Sequence, residues 1–181
     1  NYTHMKQTHA KPLLEILMKS EQVITFTGKD FHGNKTDLLV HQDNLSILDR
    51  AADGDLSADN TTLLSPFDNL FWAKDRDRAL FGFEQILECY KPEPLRRWGY
   101  FCLPILHQGK LIGRIDPKLD RKTNTLELRK THIEDRYKPD ESTIFALRKS
   151  ILDFMEFHNA KNINIKLEGH GELAAKLSKS L

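Results

Sequence analysis

The amino-acid sequence predicts an α+β fold: a helix and hairpin first, then a β-rich, mostly antiparallel domain that carries one long helix. Three observations carry that prediction. Short apolar or β-branched runs recur between turn residues from Tyr100 to Thr131. One stretch, Asp140 to His158, repeats Ile144, Leu147, Ile151, Phe154 and Met155 at helical spacing. Between the two halves, Asp53 to Asn60 is polar, contains Gly54 and forms the best linker of the chain. The expected division is residues 1–58 and 59–181.

The elements follow in order. From His9 to Ser20, the apolar Leu13, Leu14, Ile16, Leu17 and Met18 oppose Lys11, Glu15 and Lys19, which predicts a short amphipathic helix. Val23 to Thr27 and Asp37 to Val40 read as strands of a hairpin, with Gly33-Asn34 at the tip of the turn. Helix, strand, turn, strand is the order in which a winged helix ends, so this piece is expected to be a partial winged helix with its wing. Gln42 to Ala52 predicts another helix with Asp43 or Asn44 as N-cap. Thr61 to Leu64 enters as a strand that Pro66 ends. Asn69 to Phe83 is expected to be helical up to Gly82, and either Asp68 or Asn69 caps it. Tyr100 to Leu106 and Lys110 to Ile115 form a hairpin across His107-Gln108-Gly109, and Thr125 to Thr131 adds a strand after the turn Asp120 to Asn124. The long helix, a closing strand from Asn162 to Leu167 and a short terminal helix complete the chain.

The 39% hydrophobic and 29% charged residues are the balance of a folded globular protein. No apolar run approaches the roughly 20 residues that cross a bilayer, so no membrane partner is expected. A polar N-terminus shows no secretory signal, and Cys89 and Cys102 lie in apolar surroundings as thiols of a reducing cytoplasm do. The net charge is only +1, but Lys91 to Lys130 is positive and Asp49 to Asp59 acidic. Any nucleic-acid surface is therefore a local patch.

Several kinds of chemistry find no support. No Cys-x-x-Cys or His-Glu-x-x-His occurs, and His170 beside Glu168 reads as loop, so no metal is expected. There is no nucleophile elbow and no phosphate-cradling glycine motif, and no catalytic residue or cofactor is assigned. A cation–aromatic cluster remains: Lys91, Arg96, Arg97, Trp98 and Tyr100. Guanidinium groups match phosphate oxygens with two parallel hydrogen bonds, and a neighbouring ring stacks on an unpaired base. Lys118, Arg121 and Lys122 on a hairpin turn, and Lys29 and Lys35 on the wing, extend the set of phosphate contacts. The opposing reading puts Trp98 and Tyr100 in the core and pairs the arginines with Glu84, Glu88 or Glu93.

Five short motifs in fixed order make the sequence familiar: Leu64-Ser-Pro-Phe-Asp-Asn-Leu-Phe-Trp72, Leu80-Phe-Gly-Phe83, Tyr90-Lys-Pro-Glu-Pro94, Arg97-Trp-Gly-Tyr100 with Leu103-Pro104, and Leu111-Ile-Gly-Arg-Ile-Asp116 with Lys118, Asp120, Arg121 and Lys122. Across Leu63 to Leu128 they resemble the winged-helix crosslink-repair DNA glycosylases of the YcaQ-like family. The resemblance implies tandem winged helices closed by a β-rich C-terminal domain, with double-stranded DNA as partner and neither metal nor organic cofactor. It implies removal of alkylated bases and unhooking of interstrand cross-links by an activated water that attacks the sugar carbon. The family motif Gln-x-Gln or Gln-x-Asp, which places that water, lies in the first winged helix. None of Gln7, Gln22, Gln42, Gln85 and Gln108 begins such a motif. The expectation is thus a C-terminal, DNA-gripping portion without glycosylase activity of its own. The alternatives are a non-catalytic DNA-binding or regulatory protein, and an α+β domain for a small molecule.

Overall fold

The computed structural model describes residues 5–166 and 171–180. Among them are five α-helices and two sheets, an α+β architecture in two compact units. One unit comprises the described residues up to Ser57 together with Phe67–Glu84; the other comprises Ala58–Pro66 and the described residues from Gln85 onward.

The first unit opens with α1 (Gln7–Lys19), which carries Pro12 inside it, where no N–H is available for the turn before. The strands β1 (Val23–Lys29) and β2 (Lys35–His41) pair antiparallel from Val23↔His41 to Lys29↔Lys35. Asp30 closes their loop: its carboxylate accepts the N–H groups of His32 and Asn34 and the Asn34 amide. Gly33 takes the left-handed conformation there, with φ 83°.

Two helix expectations are corrected. Gln42–Asn44 is a 3-10 turn, and α2 runs only from Leu45 to Ala52. Neither Asp43 nor Asn44 caps it by its side chain; instead the His41 ring accepts the Asp43 N–H. Asn69 to Phe83 is not one helix either, but a 3-10 turn (Asn69–Phe71) and the six-residue α3 (Arg76–Phe81). Asp75 between them sits at φ 61°, a left-handed kink that no continuous helix accepts. The Asp68 carboxylate accepts the Leu70 N–H at 2.9 Å, which is the capping role expected for it.

The second unit is built on a five-stranded sheet in the order β3 (Thr61–Leu63), β4 (Leu103–His107), β5 (Lys110–Asp120), β6 (Thr125–Ile133), β7 (Asn162–Ile165). All neighbours are antiparallel except β6 and β7. Gln108 and Gly109, both at positive φ, make the two-residue turn of the β4–β5 hairpin. The parallel last pair follows from the crossover helix α4 (Glu141–Phe157), which returns the chain to the same end of the sheet. Helices α4 and α5 (Gly171–Ser180) supply Ile144, Leu147, Ile151, Met155, Leu173 and Leu177 to one core with Leu103, Ile105, Ile112, Ile115, Leu126 and Leu128. The i, i+3, i+7, i+11 spacing of the α4 residues is what puts them on one stripe facing the sheet.

Several buried polar groups of this unit are matched. His107 meets the Thr61 hydroxyl at 2.6 Å, and burial lowers its pKa. Arg114, 2% exposed, donates to Glu134 at 2.9 Å. Cys102 is buried, and desolvation together with the nearby Asp116 pushes its thiol up to about 12, so it is inert.

At the start of α4 the Asp140 carboxylate accepts the Thr143 N–H and the hydroxyls of Thr143 and Ser142. Those bonds hold its pKa down at about 2. Because the folded state depresses this pKa, the cap stabilises at neutral pH and is lost as the pH falls through about 2. Asp140→Ala is expected to lower the melting temperature by several degrees at pH 7, with the gap to the parent closing towards pH 2. Thermal melts at a series of pH values check it, and a gap that persists at pH 2 contradicts it.

Candidate nucleic-acid interface

The chain between Glu88 and Leu103 has little regular structure, only a 3-10 turn at Glu93–Leu95. Two buried carboxylates fix its course. Glu88, 3% exposed, accepts the N–H of Trp98 at 2.7 Å and that of Arg97 at 3.2 Å. It also receives the Lys91 ammonium at 2.9 Å. Burial alone would raise the pKa of Glu88, but the Trp98 N–H, Lys91 and the Arg97 N–H outweigh it and hold the group below the ordinary range. Asp116 on β5 then accepts the N–H groups of Tyr100 and Phe101 at 2.9 and 3.0 Å. Gly99 between the two anchors is buried at φ 147°, and a Cβ there would lie 2.5 Å from the Asp116 carboxylate. Only glycine fits that approach.

So held, the loop turns its side chains into a layered cluster. Two guanidinium groups pack on the Trp98 ring, Arg97 at 4.1 Å and Arg114 at 4.5 Å from its centroid. His132 packs on the same ring at 4.3 Å. Burial keeps His132 below its ordinary pKa, although Glu134 opposes the shift, so the imidazole is neutral at pH 7. Arg96 stands over Tyr100 at 4.9 Å and donates through Nε to the Lys91 carbonyl at 2.8 Å.

The opposing reading of these residues fails in two respects. Tyr100 is 47% exposed and Trp98 half-buried, so neither is a core residue. No carboxylate pairs with the Arg96 or Arg97 guanidinium among the described residues: Glu88 takes the backbone of Arg97, and Glu84 pairs with Arg78. The result is a positively charged, partly aromatic surface on a loop that is pinned from behind.

A family model for AlkZ-like DNA glycosylases matches residues 1–157. The chain belongs to the AlkZ-like DNA glycosylase family. No solved structure matches it. Membership ties the chain to DNA-repair glycosylases and makes DNA the partner to which this surface is compared. Among the described residues no helix is long and apolar enough to cross a membrane, and no three His, Cys, Asp or Glu side chains group as metal ligands. His170 and Glu168 lie outside the described residues.

The remaining basic residues of this AlkZ-like chain fall into separate groups. Lys118 is exposed on β5 opposite Glu127, and Arg121 and Lys122 are exposed on the β5–β6 turn. Asp120 shapes that turn by accepting the Lys122 N–H at 2.9 Å and the Thr123 hydroxyl at 3.0 Å. In the first unit Lys29 and Lys35 are exposed and face each other across the end of the hairpin. Like charges directly opposed cost stability, so the pair concentrates positive charge at the hairpin tip without helping the sheet. Lys91 stands apart from the others in being paired with Glu88.

Sequence reasoning named Glu88 only as a partner for the arginine side chains and assigned no role to Asp116 or Arg114. One signal was available for the last two. Leu111-Ile-Gly-Arg-Ile-Asp116 places two charges inside an apolar strand, where a charge persists only if it is paired.

Proposed function

We propose that these 181 residues supply a DNA-backbone-gripping part of an AlkZ-like repair glycosylase acting on alkylated bases and interstrand cross-links, and that by themselves they excise no base. The observation that carries this reading is the Arg96–Tyr100 loop: two guanidinium groups without carboxylate partners, stacked on aromatic rings and held by buried Glu88 and Asp116. Rings beneath the guanidinium planes orient them while leaving their edges to donate, which suits phosphate oxygens. The exposed cations of the β5–β6 turn and of the hairpin tip add contacts of the same kind, and α1 with that hairpin serves as the last helix and wing of a winged helix. The absence of a Gln-x-Gln or Gln-x-Asp in the sequence supports the lack of catalysis.

Phosphate contacts release counterions, so binding falls steeply with salt and is blind to sequence. Replacing both Arg96 and Arg97 with alanine is expected to weaken binding to a short duplex and to flatten the log–log salt slope by about one to two. Fluorescence anisotropy across a salt series measures both. An unchanged slope in a folded double variant contradicts the assignment. Alkylated duplex incubated with this chain is expected to release no base above the uncatalysed rate, and steady release would overturn the non-catalytic reading.

A further inference from the structure

The β5–β6 ladder is regular until Asp116 and Pro117, where its register slips. Asp116 pairs with Lys130 and Pro117 with Leu128, leaving Arg129 as an extra residue on β6. Pro117 has no N–H to give to the ladder, which is the physical reason that the irregularity falls here. In an unbroken strand consecutive side chains point to opposite faces. A bulge re-aims one of them. As a result Arg129 and Lys130 line the same cavity of about 220 Å³.

Two further cations reach that cavity by independent routes. Lys166 follows β7 directly: its N–H bonds to the Leu128 carbonyl at 3.1 Å, which sets it beside the bulge. Arg96 comes from the loop, where its carbonyl faces the Lys130 ammonium at 3.5 Å. Tyr100 and Gly99 form part of the wall.

Two carboxylates, Asp116 and Glu93, stand against four cations there, so the cavity keeps an excess of positive charge; both Asp116 oxygens are held by the N–H groups of Tyr100 and Phe101. The Arg129 Nε is buried and makes no hydrogen bond; its approach to Glu127, at 3.8 Å, is too long for one. Among the described residues Lys166 has no ion pair.

We propose that this bulge cavity is a seat for a single phosphate group, held by Arg129, Lys130, Lys166 and Arg96, with Tyr100 as a platform for an attached sugar or base. Arginine contributes a planar fork of donors and lysine a mobile point charge, the two modes in which proteins hold phosphate. That the phosphate belongs to a DNA strand rests on the DNA-gripping reading above. The seat itself follows from the cavity and its donors.

The test separates the two. In the full chain the Arg129 Nε–H resonance is followed by NMR during titration with inorganic phosphate and, separately, with a short duplex. Phosphate is expected to shift it in the parent and to leave the remaining resonances of a Lys166→Gln/Lys130→Gln variant unmoved. For the duplex, Arg129→Gln/Lys166→Gln is expected to lose about tenfold in affinity and about one to two units of salt slope. An Arg121→Gln/Lys122→Gln variant at the turn reports on DNA binding without touching the cavity. If neither phosphate nor duplex moves the Arg129 resonance, the seat is overturned, whether or not the turn variant loses affinity. If phosphate moves it but the duplex does not, the seat stands and its strand origin is overturned. Lys166→Gln alone, at an exposed position, guards against a variant that merely misfolds.

Discussion

Gly113→Ala is expected to unfold much of the five-stranded unit at temperatures where the parent is native. Gly113 sits in β5, the middle strand, paired with Ile105 on one side and Ile133 on the other. A Cβ at this position would run into the carbonyl oxygen of His132 and lie 3.0 Å from the Ile133 Cα. Both obstacles are backbone, so no side-chain rotation relieves them, and β6 must move away from β5. Overpacking of this kind costs about 3 kcal/mol or more, a large share of a domain's stability. The melting temperature should fall by roughly 10–20 °C. Gly109 provides the contrast. Its φ is positive, but the nearest atom to a new Cβ is the Ala58 methyl at 3.4 Å, so alanine there should cost only about 1–2 kcal/mol of left-handed strain. Equal melting temperatures for the two variants would refute the close-approach argument.

The second large effect is expected at Glu88. Alanine there removes an acceptor from two backbone N–H groups and from the Lys91 ammonium. Hydrogen bonds to a charged group are worth about 1.5–3 kcal/mol, and the loop also loses the anchor that places Arg97 and Trp98. Stability and DNA affinity should therefore fall together, affinity by about tenfold. Glutamine keeps one acceptor oxygen and should restore part of both. Since the folded state lowers the Glu88 pKa, its contribution is present above about pH 4.5 and lost as the pH falls below it. The gap between parent and alanine variant in denaturant titrations should thus be narrower at pH 3.5 than at pH 7. A Glu88→Ala chain as stable as the parent at pH 7, with undiminished DNA binding, would remove the carboxylate from its positioning role.

Much of the architecture was readable in the sequence because its signals are local. Alternation and a two-residue turn are written in adjacent residues, so the β4–β5 hairpin is legible from Leu103 to Ile115. The α4 helix is legible for the same reason, with its cap and its core stripe falling within one run of chain. The resemblance carried by ordered motifs reached the family in the same way. The stretch from Asn69 to Phe83 misled because its apolar residues flank a charged block, as in an amphipathic helix. A single left-handed residue, Asp75, divides it, and aspartate is among the few residues for which that conformation is inexpensive.

By itself the sequence determined most of the elements and offered Lys29, Lys35, Lys91, Arg96, Arg97, Lys118, Arg121 and Lys122 as candidate phosphate contacts. Only the tertiary structure decided their company. Trp98 meets Arg114 and His132 because β5 and β6 return past the loop. Glu88 and Asp116 became anchors once the fold brought backbone N–H groups to them. Arg129 turned into the cavity through a one-residue slip of register. The reason is physical: propensity and periodicity act over a few neighbouring residues, whereas a site assembled across strands depends on register, and register is settled only when the whole sheet packs.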